Sequence, residues 1–235
     1  MSSIWYAQPS GGYLASSPEG TSNIRATYDY LYGEGFVYGS VVGMLCNVAG
    51  ESGYNPWRWQ NDTVDTNAGY GLVQFTPASA YVYAAGIPDH APNMSTSMQT
   101  AGASPDDGKG QLYCIVNDVF GKWNSSCWRS YWDPSTYPTL YSRSQNILSL
   151  YGQGGSLSIS DFAIINDIDD ACFAFLACYE GPAVPNFDAR VANKSAIETA
   201  LQGYIPDPPG PPGTRMDILF LKHFIDKNHK RGYII

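Results

Sequence analysis

Residues 40–60, SVVGMLCNVAGESGYNPWRWQ, run from a helical pattern into a turn and leave one carboxylate, Glu51, at the junction. Val41, Val42, Leu45 and Val48 fall on one helical face, so the spacing predicts a core helix over 40–52 despite Gly43 and Gly50. Gly53, Asn55 and Pro56 then break the pattern. A helix C-terminus carries partial negative charge, so a glutamate in its last turn is disfavoured as a plain surface choice. Two compensations are open. Either the dipole and apolar neighbours keep the carboxyl protonated near neutral pH, available as a general acid, or Glu51 is a capping or salt-bridged side chain with a structural role.

Around this junction, 235 residues with 44% hydrophobic content suffice for one sizeable core. The net charge of −8 argues against a nucleic-acid partner, which needs a cationic surface to displace counterions from phosphate. The apolar run ACFAFLAC at 171–178 is far short of the roughly 20 residues that span a bilayer, so no stable membrane association is expected. The N-terminus lacks the basic-then-apolar layout of a secretory signal. The five cysteines, Cys46, Cys114, Cys127, Cys172 and Cys178, show no metal-ligand spacing and are expected as reduced, mostly buried thiols. Cys114 with Cys127 is the pairing worth entertaining. His90, His223 and His229 sit in unrelated contexts, so neither a metal nor a cofactor is expected.

Helical patterns are predicted at 21–35, 77–86, 110–124 and 142–152, with a capped helix ending near Tyr179 inside 158–182 and a last one inside 186–204. The Asn, Asp, Thr and Gly-rich segment 60–76 suits a short irregular hairpin, and 87–110 a long surface loop. The fold expected is α+β, mainly α. A domain over 1–205 is followed by a Pro/Gly linker at 206–214 and a basic tail at 215–235, read either as a docking arm or as a poorly ordered terminus.

The company Glu51 keeps favours its chemical reading. The ES of residues 51–52 followed by GYNP, then AGYGLVQFTPASA at 68–80, resembles the motif pair of goose-type lysozymes and lytic transglycosylases. GMLCNVAGES at 43–52, WQN at 59–61, GYGLVQFTPAS and FLACYEGPAVPN at 175–186 resemble more closely the tail-knob lysozymes of short-tailed phages that infect Gram-positive bacteria. The resemblance spans roughly 21–202. It implies a lysozyme-like fold with a small irregular β-hairpin lining the cleft, and cleavage of the β-1,4 bond between N-acetylmuramic acid and N-acetylglucosamine in peptidoglycan. Such cleavage requires a proton for the leaving oxygen as an oxocarbenium-like state develops.

By the resemblance Glu51 is the general acid. Gln74 and the backbone around Gly71 and Leu72 would bind the N-acetyl sugar, with Tyr70 and Ser52 supporting the cleft. Tyr179 and Glu180 stand where transglycosylases carry a cleft-facing Tyr-Asn pair, and Glu180 is open between a supporting hydrogen bond and a structural ion pair. Asp65 falls where goose-type lysozymes carry one cleft aspartate and would position the attacking water. Thr76 replaces the other aspartate, and Asp62 is the alternative to Asp65. Either aspartate also suits a plain turn residue. Without a second carboxylate, Glu51 alone could run the transglycosylase route to 1,6-anhydro products. One or two of Tyr54, Trp57, Trp59, Tyr70 and Phe75 are expected to touch sugar.

The implied setting is a phage tail tip, made in the host cytoplasm and carried on the virion, with other tail proteins as partners through residues 206–235. The acidic balance suits an enzyme delivered to an anionic wall mechanically. The alternatives are a structural tail protein whose chemistry has lapsed and, disfavoured by the missing signal, a bacterial autolysin.

Overall fold

The structure is a computed structural model and describes residues 4–8, 10–88, 107–123, 133–153 and 155–206. Cys127, the three histidines and the tail from 207 lie outside the described residues. The helices, in chain order, are α1 (Pro18–Gly33), α2 (Tyr38–Ser52), α3 (Ala78–Val82), α4 (Asp107–Val116) and α5 (Pro138–Leu150). After them come α6 (Ile159–Ala163), α7 (Ile168–Phe175), α8 (Phe187–Val191) and α9 (Lys194–Leu201). The fold is mainly helical, as expected.

Helix α1 begins earlier than its apolar spacing predicts. Ser17 accepts the Gly20 N–H at 3.0 Å through its hydroxyl, Pro18 opens the first turn and Glu19 faces the positive end of the dipole. Helix α2 is buried around its circumference: Val41, Val42, Met44, Leu45, Cys46 and Val48 are all inaccessible to solvent, the pattern of a helix enclosed by others. Helix α7 crosses it at Gly43, where an added Cβ would come within 2.5 Å of the Ala171 Cβ. A mid-helix glycine costs about 1 kcal/mol relative to alanine. That cost is offset by the close approach, which lets the buried Asn47 amide donate to the Cys172 carbonyl at 3.0 Å.

The expected capped helix within 158–182 is two. Ser158 and Asp161 form a reciprocal capping box at α6, Asp167 caps α7, and the chain continues beyond Phe175 into a widened π-turn, Leu176–Glu180, that Gly181 ends at φ 55. Such widened turns recur at functional sites because they re-aim side chains that a regular helix would place elsewhere.

The hairpin expected at 60–76 is replaced by isolated antiparallel pairings, Trp59 with Tyr70 and Tyr70 with Phe75, without strands. The reason is where the backbone groups go. Tyr70 and Phe75 exchange backbone bonds, but Gly69 N–H donates to the Gln60 side chain at 2.9 Å and Leu72 N–H to the Gln111 side chain at 2.7 Å, so side chains interrupt the ladder. The positive φ of Gly71 (83°) and Gln74 (48°) folds residues 70–75 into a tight turn.

Candidate active site

Glu51 occupies the last turn of α2 and is about one-fifth exposed. Arg190, from α8, answers its charge. One guanidinium nitrogen contacts the Glu51 carboxylate and the other donates to the Asn47 carbonyl, one turn back, at 2.8 Å. A cation therefore meets both the side chain and the negative end of the helix. Gly50 makes room for it, since an added Cβ would lie 2.9 Å from the guanidinium. The two compensations read from the sequence are thus not exclusive: Glu51 is ion-paired and also faces open space.

That space is a groove of about 410 Å³ between the end of α2, the turn at residues 73–76 and the π-turn after α7. Glu51 and Glu180 are its carboxyl groups; Gln74, Thr76 and Tyr179 also face it, and Arg58 and Lys122 bring positive charge. Tyr179 stacks on Phe175 with ring centroids 4.9 Å apart, and its hydroxyl is buried with no hydrogen-bond partner. Glu180 Oε1 is likewise buried and without a partner. Burial first, and the Glu51 charge second, hold the Glu180 carboxyl well above the usual carboxylate range, against the opposing pull of Arg190 and Lys122. Burial also raises the Tyr179 phenol. Glu180 therefore favours its protonated form more than an exposed glutamate does, beside the ion-paired Glu51.

The remaining residues singled out in the sequence divide between the groove and its backing. Gln74 faces the groove while its amide nitrogen ties down the Arg58 and Gly71 carbonyls, both at 3.0 Å; Thr76 donates to the Gln74 carbonyl at 2.8 Å. Ser52 is buried and donates to the Leu72 carbonyl at 3.0 Å, fastening the turn to α2. Tyr70 is fully buried against Trp59 and Tyr81, so it supports from behind. The backbone at Gly71 and Leu72 is turned inward, its N–H groups given to the Arg58 carbonyl and to Gln111.

Asp65 stands apart from this assembly. It is exposed, lies outside the groove lining and accepts the Asn67 N–H at 2.9 Å, closing its own turn. Asp62 pairs with Arg58 at 3.0 Å and accepts the Gly11 N–H. Of the five aromatics flanking the site, Phe75 lines the groove and the others are buried behind it. Among the described residues no cluster of His, Cys, Asp and Glu could hold a metal ion, and no helix is long and apolar enough to cross a membrane.

Two residues escape the sequence reading. Arg190 gives no local signal beyond a lone cation in NFDARV, although a glycine immediately before the ES pair hints that something large lies against the helix. Gln111, a polar residue buried on the inner face of α4, donates to the Pro56 carbonyl at 2.6 Å as it accepts from Leu72, and so clamps both arms of the groove wall.

A model of the phage tail lysozyme family matches residues 22–200. Over 68 residues the chain is 43% identical to Morphogenesis protein 1 of Bacillus phage B103, a stretch that covers 28% of this chain and 19% of that relative. The matched region thus spans a small part of the relative's own length, whereas the family model takes in well over half of this chain and includes every groove residue named above. The chain belongs to the phage tail lysozyme family.

Proposed function

We propose that this protein is a peptidoglycan-cleaving glycosidase of a phage tail tip, made in the host cytoplasm and carried on the virion to open the cell wall locally for genome entry. Its target is the β-1,4 bond between N-acetylmuramic acid and N-acetylglucosamine. The observation that carries the reading is that Glu51 faces an open groove lined by polar side chains such as Gln74 and Thr76, with Arg58 and Lys122 bringing positive charge, within the family's matched span. Glu51 protonates the leaving glycosidic oxygen as positive charge develops on the sugar ring. Gln74 and Thr76 meet the polar edges of the N-acetyl sugar, and Tyr179 and Phe75 supply the apolar floor. The relative's name, a morphogenesis protein, supports a virion part with other tail proteins as its assembly partners.

A second reading draws on the position of Asp65. With that aspartate outside the groove, no second carboxylate from the 60–76 segment stands ready to direct a water, which favours closure by the sugar's own 6-hydroxyl. Mass spectrometry of soluble products released from Gram-positive peptidoglycan separates the two. Reducing-end muropeptides are the expected outcome; products lighter by one water establish a transglycosylase. No product from several walls with folded protein overturns both and leaves a structural tail component on a lysozyme scaffold.

A further inference from the structure

Helix α8 brings a guanidinium to the end of α2, and its binding there makes the two oxygens of Glu51 unequal. One terminal nitrogen of Arg190 contacts Glu51 Oε1, and the other donates to the Asn47 carbonyl at 2.8 Å. Among the described residues Arg190 alone hydrogen-bonds the Glu51 carboxyl, and it does so through Oε1. Its anchor is itself fixed, since the Asn47 amide donates to the Gly43 and Cys172 carbonyls at 3.1 and 3.0 Å where α7 packs on α2. The space is fitted as well. A Cβ added at Gly50 would lie 2.9 Å from the nitrogen that holds Asn47 and 3.0 Å from the Arg190 Cδ, so any larger residue there displaces the side chain.

We propose that Arg190 is a positioning residue that gives the two oxygens of Glu51 different parts: Oε1 is the anchor and Oε2 the proton carrier. The inference rests on Glu51 being the general acid. A guanidinium has donors and no acceptor, so the oxygen it binds must accept, and the proton of the acid form sits on the other oxygen. Oε2 gives that proton to the glycosidic oxygen as its bond to the sugar carbon breaks. The Glu51 carboxylate then takes a proton back from the water or the 6-hydroxyl whose oxygen bonds to that carbon. An unanchored glutamate at a helix end samples several rotamers. Holding one of them, with Oε2 left for the groove, speeds the chemical step and adds nothing to substrate binding.

Steady-state kinetics on soluble, uncrosslinked peptidoglycan strands test this for the wild type, Arg190→Ala, Arg190→Lys and Gly50→Ala, each assayed well below its unfolding transition. Arg190→Ala should lower kcat about tenfold or more and leave KM within about twofold. Free guanidinium, too dilute to unfold the protein, should restore part of that kcat, whereas urea, of the same shape without the charge, should not. Arg190→Lys should recover part of it too, because an ammonium supplies the charge but not the fork that spans Glu51 and Asn47. Gly50→Ala keeps every charged group, and alanine suits a helix better than glycine. Its Cβ should nonetheless push the guanidinium away and lower kcat several-fold.

Folded Arg190→Ala and Gly50→Ala variants that keep the wild-type kcat overturn the assignment. So does an Arg190→Ala loss that falls on KM, or one that neither guanidinium nor Arg190→Lys repairs, which marks a purely structural residue. In each of these cases an inactive Glu51→Gln variant leaves the glycosidase reading standing. A wild type that releases nothing, or a Glu51→Gln variant as fast as wild type, overturns both.

Discussion

Helices α2 and α7 and the irregular wall from Gly53 to Pro77 meet at the same groove yet satisfy their backbones in different ways. The helices bond internally and gain their stability from apolar burial, with α2 enclosed by its neighbours from Gly39 to Val48. The wall pairs its backbone in scattered turns rather than in a helix or a strand ladder. Distant side chains complete it: Ser52 holds Leu72, Gln111 holds Leu72 and Pro56, and Asn55 reaches the Gln8 and Gly11 carbonyls at 2.8 and 2.7 Å. The helices thus hold Glu51 rigidly, whereas the surface it faces depends on a few polar clamps. A small loss in the wall should therefore cost more function than a large loss in the helices.

Leu45→Ala attacks the helical side. Leu45 is fully buried in α2, so the substitution should lower unfolding free energy by about 2–5 kcal/mol in chemical denaturation. Well below its melting point the protein should nonetheless keep its specific activity, because the groove is untouched. Gln111→Ala attacks the other side. It leaves the Leu72 N–H and the Pro56 carbonyl without partners and should cost about 1–3 kcal/mol, less than Leu45→Ala because water can reach a relaxed turn. Its specific activity should fall on the order of tenfold or more as Gln74 shifts from the groove. Equal activity losses in the two variants would erase the distinction between scaffold and wall.

The same division explains what the sequence discloses. Helix α2 and the break at Gly53 are legible because apolar spacing and turn residues are local signals, and Glu51 stands out by violating the dipole rule at that break. The segment 60–76 is legible as irregular and turn-rich, but the hairpin expected there reduces to isolated antiparallel pairings. Its composition suits a short hairpin, and nothing in it records that the Gln60 and Gln111 side chains take the Gly69 and Leu72 N–H groups. Arg190 lies 139 positions from Glu51, and only the packing of α8 on α2 brings them together. Asp65 illustrates the converse: alignment with a related motif placed it in a cleft, whereas the Asx turn it closes with Asn67 keeps it at the surface. Placement of α1 fails by one turn because Thr21 and Ser22 also suit a helix start, whereas Ser17, Pro18 and Glu19 form the one the chain uses.

The most direct measurement is the rate of soluble muropeptide release by Glu51→Gln and Asp65→Asn against the wild type, each confirmed folded by its unfolding transition. Removal of the general acid should lower the rate by about 10²–10⁴-fold. Asp65→Asn should stay within about twofold, as for a surface turn residue. A Glu51→Gln variant that keeps wild-type rate, or an Asp65→Asn variant that loses as much as Glu51→Gln, would contradict a reaction centred on Glu51 in this groove.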